Sequence, residues 1–281
     1  MNNAYGKKNS FVERSLMGAL AFFKESVLSD EYASREGLLQ GFDPRTKTLG
    51  FLLLLAAVMF MKDSRAVFIM YLLCLLLAFA SRINAAFFLK RTWVFIPLFS
   101  LCIAVPAMFR SFSPGETLAV IPVFGARLVM TVPGFHSAVL FVSRVLVSVS
   151  LVVLVTTTTR STELFAALRW MGVPQIFVMT LNMCYRYIFL FAGIIQDSYL
   201  AIKSRTGGLM HYRKGQKIVA WNIASLWGRS MRMNEELYNA MLSRGYSGEP
   251  KALHNFHARA ADWGWLVFAG AVLAVTVGVA R

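Results

Sequence analysis

Two stretches of the chain combine residue types that could plug into a partner. Ser204-Arg205-Thr206-Gly207-Gly208 and Ser243-Arg244-Gly245-Tyr246 each set an arginine among small residues with glycine close behind. A guanidinium offers five N–H donors in a rigid fork that suits acidic or carbonyl-lined grooves. A glycine just past it lets the chain turn away. Either site alone reads equally well as an ordinary helix C-terminus, where cations and glycine are both favoured. Two such ends, closing two long helices, favour insertion into a partner.

The other reactive side chains form no site. His254 and His257 stand three apart and His211 follows the first glycine pair, but no Cys or carboxylate donors gather around them, so no metal site is indicated. Cys74, Cys102 and Cys184 lie far apart in apolar stretches without a CxxC pair and read as buried, inert thiols. No GxxxxGK[ST] loop is present, and Gly6-Lys7-Lys8 is only a polar terminus, so any ATP hydrolysis belongs to another protein. Arg144 interrupts an apolar run, where a charge is costly and marks a partnered position. The sequence does not identify its partner.

The elements that must hold these residues follow from composition. The chain is 57% hydrophobic and 15% charged, far from the roughly 45–50% and 25% of globular chains. Its surface must face lipid. A net charge of +15 would ordinarily suggest nucleic acid. Here the basic residues alternate with apolar spans, so no nucleic-acid partner is expected. Met1 to Ser10 is polar and residues 11–40 mix charges, which does not read as a signal peptide. Apolar runs at about 48–61, 66–80, 93–109, 136–158 and 261–280 predict about five transmembrane helices in an all-α polytopic protein. The first two form a hairpin across Lys62-Asp63-Ser64-Arg65.

The stretch 176–196 is apolar enough to span but carries Asn182 and Arg186 and ends at Asp197. With the N-terminus in the cytoplasm and 176–196 left out, 23 of the 29 Lys and Arg fall inside. Letting it span would move ten of them outside, against the positive-inside rule. The expected organisation is therefore a cytoplasmic amphipathic segment over 1–43 and helices one to four over 44–158. Cytoplasmic or interfacial helices then fill 159–260, and a last span over 261–281 ends outside. Val12, Leu16, Ala19, Phe23 and Val27 give the first segment helical periodicity. Asp43-Pro44 supplies an N-cap and a first helical residue for the first span. Pro114, Gly115, Pro122, Pro133 and Gly134 predict turns in the external loop 110–135.

Within 159–260 the sequence predicts three helices. Residues 162–171 form a short amphipathic one, stopped by Gly172-Val173-Pro174. The next, about 174–204, carries a narrow polar seam of Gln175, Asn182, Arg186, Gly193, Asp197 and Ser204, spaced 7, 4, 7, 4 and 7. The third, about 216–243, has a stripe of Asn222, Ser225, Arg229, Arg232, Glu236, Asn239 and Ser243 opposite Ile223, Leu226, Met233, Leu237 and Met241. That spacing suits one helix packed along another.

At these residues the chain resembles the CbiQ/EcfT family, the transmembrane components of energy-coupling factor transporters. The likeness is carried by Gly37-Leu38-Leu39-Gln40 with Asp43-Pro44-Arg45-Thr46-Lys47, by Gly172-Val173-Pro174 with Tyr185-Arg186-Tyr187, and by Ala240 through Glu249. The family's signature is a pair of Ala-Arg-Gly motifs that end coupling helices and contact two ABC-type ATPase subunits. Carried over, they fall on Ser204, Arg205 and Gly207 and on Ser243, Arg244 and Gly245. Both have Ser for Ala, and the first has Thr206 where Gly is expected. The Met241 to Glu249 wording and the long N-terminal segment resemble the metal-transporting branch, for cobalt or nickel. The resemblance implies no cofactor on this chain, with ATP and Mg bound by the partner ATPases. It also implies a membrane substrate-binding partner, CbiM-like and with or without a CbiN-like companion, in a bacterial inner membrane. The rival reading is a polytopic membrane enzyme such as a lipid-group transferase. Such an enzyme would need clustered carboxylates to hold Mg²⁺ and diphosphate. The chain has only 14 Asp and Glu, and Glu235-Glu236 is a lone pair. An autonomous channel would need a pore signature that is not visible.

Overall fold

The computed structural model describes residues 33, 37–93, 96–107, 117–123, 126–206, 212–248 and 259–280. The expected helix over 11–30 lies outside them. The described chain is helical apart from one hairpin: α1 Pro44–Phe60, α2 Ser64–Ala80, α3 Ala85–Trp93, α4 Ile96–Ala107, β1 Thr117–Val123, β2 Ala126–Thr131, α5 Val132–Thr158, α6 Ser161–Trp170, α7 Gln175–Thr206, α8 Tyr212–Ser243 and α9 Ala260–Ala280. These elements divide into two compact units. One holds α1 to α6, the hairpin and α9, and the other holds α7 and α8.

In the first unit α5 is the axis. It packs against α1, α2, α3 and α4, while α1 also packs along α9 and α6. Their shared core includes Phe51, Leu54, Val67, Phe88, Leu151 and Leu154. Two polar contacts fix how α1 and α5 run. Lys47 near the start of α1 donates to the Thr158 carbonyl at the end of α5 at 2.9 Å. Arg144 of α5 donates through Nε to the Met61 carbonyl, just past α1, at 3.1 Å, and its Nη2 contacts the same oxygen. Each pair of positions is fourteen residues apart on its own helix. The helices are therefore antiparallel and in register over about 21 Å. Arg144 has found its partner in a backbone carbonyl freed at a helix end, where a cation is favoured.

The end of this unit that carries Lys47 gathers four chain segments. The Leu38 amide donates to Ala80 O at 3.4 Å and Gln40 Nε2 to Ser81 O at 3.1 Å, which brings the end of α2 to the start of α1. The Asp43 amide donates to Asp262 Oδ1 at 2.9 Å, and the Arg259 amide to Oδ2 of the same carboxylate at 2.6 Å. That places the start of α9 there too. Asp43 is also the expected cap of α1, accepting from the Arg45 amide at 3.0 Å ahead of Pro44. Gly37 is required at this junction, because a Cβ on it would stand 2.8 Å from Ser81 O. On the face of α1 toward α9, Gly50 lies against the Trp265 indole so closely that any side chain would collide with it. Trp265 also stacks on Phe42 at 6.1 Å and tilts against Phe51 at 5.3 Å.

Three details differ from the sequence reading. The run expected at 93–109 holds α4, and ahead of it stands a separate amphipathic helix, α3, that the sequence reading does not place. The last turn of α3 carries Lys90 and Arg91. Both lie exposed while Phe88 and Thr92 are buried, and Arg91 lies over the Phe87 ring at 5.7 Å. The turn-rich loop contains an antiparallel hairpin, with Val123 opposite Ala126 and Thr117 opposite Thr131. Of the cysteines only Cys74 is buried, while Cys102 and Cys184 are exposed on their helices. Their stretches are apolar because they line outward faces, not because they are enclosed.

Candidate functional site

The expected helices of the second unit are present and longer than read. α7 and α8 are 32 residues each, about 48 Å. Gly172 has φ of +98°, the left-handed conformation that closes the turn after α6 and precedes Pro174. α7 carries no thick core. Val178 and Ala192 are its buried apolar residues, whereas Ile176, Phe177 and Leu200 are exposed. By length and composition, Gln175–Ile202 joins Val132–Thr158 and Ala260–Val279 as a helix able to cross a membrane. The helix has the surface of an element covered by lipid or by other protein.

The seam residues Asn182, Arg186 and Asp197 are all exposed on α7, as are Arg229, Arg232 and Glu236 on α8. On α8, Leu226, Met233, Leu237 and Met241 are half-buried as the pattern requires, but Ile223 is 64% exposed. Asn222 and Ser243 use their polar groups on their own helix, toward Ile218 O at 3.1 Å and Asn239 O at 2.9 Å. The polar stripe is thus a solvated charged face interrupted by local capping bonds.

The two arginine motifs end different helices. Ser204 and Arg205 are exposed on the last turn of α7, and Gly207 lies outside the described residues. At the end of α8 the backbone closes in a Schellman turn. The Gly245 amide donates to Leu242 O at 2.9 Å and the Tyr246 amide to Met241 O at 3.0 Å. Gly245 takes the left-handed conformation this needs, with φ of +82°. The final carbonyls are therefore met by backbone amides. The Arg244 side chain is exposed and makes no hydrogen bond among the described residues. Nothing among the described residues holds it back from a partner. The Tyr246 hydroxyl lies 3.4 Å from Met179 Sδ, so the end of α8 sits beside the start of α7. From Met179 to Arg205 is about 39 Å of helix. The structure does not bring the two motifs together; it holds them at opposite ends of one helical pair.

Sequence reasoning missed the Lys47 junction. Lys47 is 1% exposed and donates to Leu39 O at 3.0 Å and to Thr158 O at 2.9 Å. Asp43 and Asp262 are also buried there. The motif Asp43 to Lys47 was visible, but its acidic counterpart Asp262 lies more than 200 residues away with no local signal. Elsewhere, an open cleft of about 570 Å³ between α2, α3 and α5 is lined by Arg65, Phe68, Tyr71, Trp93, Ser143 and Val147 among others, and by no carboxylate. Among the described residues no three His, Cys, Asp or Glu side chains form a metal-binding group.

Residues 36–255 match the family described as CbiQ, cobalt transport protein. An uncharacterized protein of Methanocaldococcus jannaschii is 30% identical over 269 residues, covering 96% of this chain and 92% of that one. A second uncharacterized protein of the same organism is 30% identical over 133 residues, 47% of this chain and 49% of its own length.

Proposed function

Since the chain belongs to the CbiQ family of cobalt transport proteins, we propose that it is the membrane coupling subunit of an ATP-driven energy-coupling factor importer for cobalt or nickel ions. In this reading two ABC-type ATPase subunits bind ATP and Mg and hydrolyse the nucleotide. This chain carries their motion to a CbiM-like substrate-binding membrane subunit. The observation that carries the reading is the placement of Arg205 and Arg244, exposed at opposite ends of the α7–α8 pair. Such spacing lets one subunit meet two separate grooves. The lipid-transferase alternative draws no support from the membrane cleft, whose described lining lacks the carboxylates that chemistry needs.

The four-way junction at Lys47 supports one orientation for the first unit. The start of α1, the ends of α2 and α5 and the start of α9 share one end, and the basic segments flanking them favour the cytoplasm. α7 then lies on or beside the inner face of a cytoplasmic membrane despite its apolar length. A reporter fused after Gly207 should read cytoplasmic and one fused at Arg281 external. An external signal after Gly207 would make α7 a span and remove the cytoplasmic placement of Arg205.

Affinity purification tests the function itself. The tagged chain, expressed with the rest of its transport operon, should bring down an ABC-type ATPase. Purified alone it should hydrolyse no ATP. Recovery without any ATPase, under conditions that keep the substrate-binding subunit attached, would contradict the proposal.

A further inference from the structure

We infer that Tyr246 is the positioning residue that clips the end of α8 to the start of α7 and so fixes where Arg244 presents its guanidinium. The inference rests on the coupling role proposed above and names the device that makes one of its two contacts rigid.

The Schellman turn ends α8 but does not aim the chain beyond it. Gly245 and Gly248 both take left-handed conformations, with φ of +82° and +97°, so two permissive residues bracket Tyr246 and Ser247. A terminus of this kind would ordinarily fray. Tyr246 opposes that with three contacts made by two atoms. Its amide closes the helix onto Met241 O at 3.0 Å. Its hydroxyl stands 3.1 Å from Gly248 O, which folds the outgoing chain back. The same hydroxyl stands 3.4 Å from Met179 Sδ on the first turns of α7. The ring is half-buried, whereas Arg244, Gly245, Ser247 and Gly248 around it are exposed. Tyr246 is therefore the residue of 244–248 that anchors this terminus to another helix. Arg244 lies two residues from that anchor.

The chemistry of the anchor suits a joint under load. The single hydroxyl proton is shared between the Gly248 carbonyl and the Met179 thioether, the weaker acceptor, and a methionine side chain is unbranched and adaptable. Packed under the half-buried ring, such a contact keeps the two helices in register. A push received at Arg244 then passes into α7 as well as α8. Without the clip, Arg244 would still bind an ATPase groove, but the terminus would absorb the displacement. The distinctive prediction is uncoupling with assembly intact, which a purely stabilising residue does not produce.

The test uses the complete complex in proteoliposomes, with labelled cobalt ions outside and ATP supplied to the ATPase side. The readout is ATP hydrolysed per ion imported, which does not depend on how much complex is reconstituted. Tyr246→Ala should retain ATPase in pull-down within two-fold of wild type and raise the ratio at least ten-fold. Tyr246→Phe, which keeps the ring, should raise it about three-fold. Met179→Ala should match Tyr246→Phe, and the double variant Met179→Ala/Tyr246→Phe should be no worse than either single one. If Tyr246→Ala fails to insert, the Phe and Met179 variants decide alone. A wild-type ratio in Tyr246→Phe and Met179→Ala, or fully additive losses in the double variant, would overturn the clip. Arg244→Glu is run alongside. Should it disrupt pull-down while the Tyr246 and Met179 variants stay wild-type, the clip fails and the coupling role stands. Should Arg244→Glu also transport and bind normally, the coupling role itself fails and takes the clip with it.

Discussion

Reversing the charge at Arg244 is expected to abolish ion uptake while the chain remains inserted at wild-type levels. Backbone amides already close the end of α8, so the exposed guanidinium contributes little to the fold. A helix-terminal charge is worth only about 0.3–1 kcal/mol. Against a partner the balance differs. Losing one member of a desolvated, charge-assisted contact costs about 2–5 kcal/mol, and an inserted carboxylate adds repulsion. In affinity that is roughly thirty-fold to several-thousand-fold. Arg205→Glu should act in the same direction but less strongly, because Thr206 departs from the motif. The double variant should release the ATPase altogether, since the two sites stand apart on the helical pair and neither can replace the other. Uptake and ATPase pull-down at matched expression separate the possibilities. Normal values for the double variant would leave both arginines as helix ends and nothing more.

The second large effect is expected at Lys47, and it is structural. Lys47→Met fills a similar volume but leaves the Thr158 carbonyl without its donor in a buried site and the Leu39 carbonyl with only the long bond from the Phe42 amide. Each unmet group costs about 1–3 kcal/mol. The buried Asp43 and Asp262 also lose a nearby cation. The total, about 2–4 kcal/mol, is a substantial part of the margin that keeps an ordinary domain folded. The unfolding midpoint in detergent should fall by many degrees, with α5 and α9 released from the start of α1. Lys47→Arg should also destabilise, because the longer guanidinium has no room at a position 1% exposed. An unchanged midpoint for Lys47→Met would show that the junction is held by packing and by the Asp262 bonds alone.

The contrast between these residues shows what a single sequence discloses. Arg244 and Gly245 were legible because a C-terminal turn is local chemistry: the glycine must supply a positive φ within one residue of the helix end. Asp43-Pro44 and Gly172-Val173-Pro174 were legible for the same reason. The partners of Lys47 and Arg144 were not, because both donate to backbone carbonyls on distant segments, and every residue has a carbonyl. Tyr246 was seen only as a letter in a motif, since its contact with Met179 depends on how α7 and α8 meet. α3 was not placed because Lys90 and Arg91 make its stretch look like a basic boundary by composition, whereas the helix turns them outward and buries Phe88 and Thr92. Charge counting and helix length also pull in opposite directions for α7. Its apolar surface would suit a span, and only the sidedness of its basic flanks argues for the membrane surface.

The central claim is that this chain hydrolyses nothing itself and makes the ATPases' work available for transport. Vesicles reconstituted with the ATPases and the substrate-binding subunit, with and without this chain, measure that directly as ATP-dependent uptake of labelled cobalt and nickel. The account predicts uptake at well above ten times background only when the chain is present, and its loss when the chain carries Arg205→Glu and Arg244→Glu together. Equal uptake with and without the chain would contradict it.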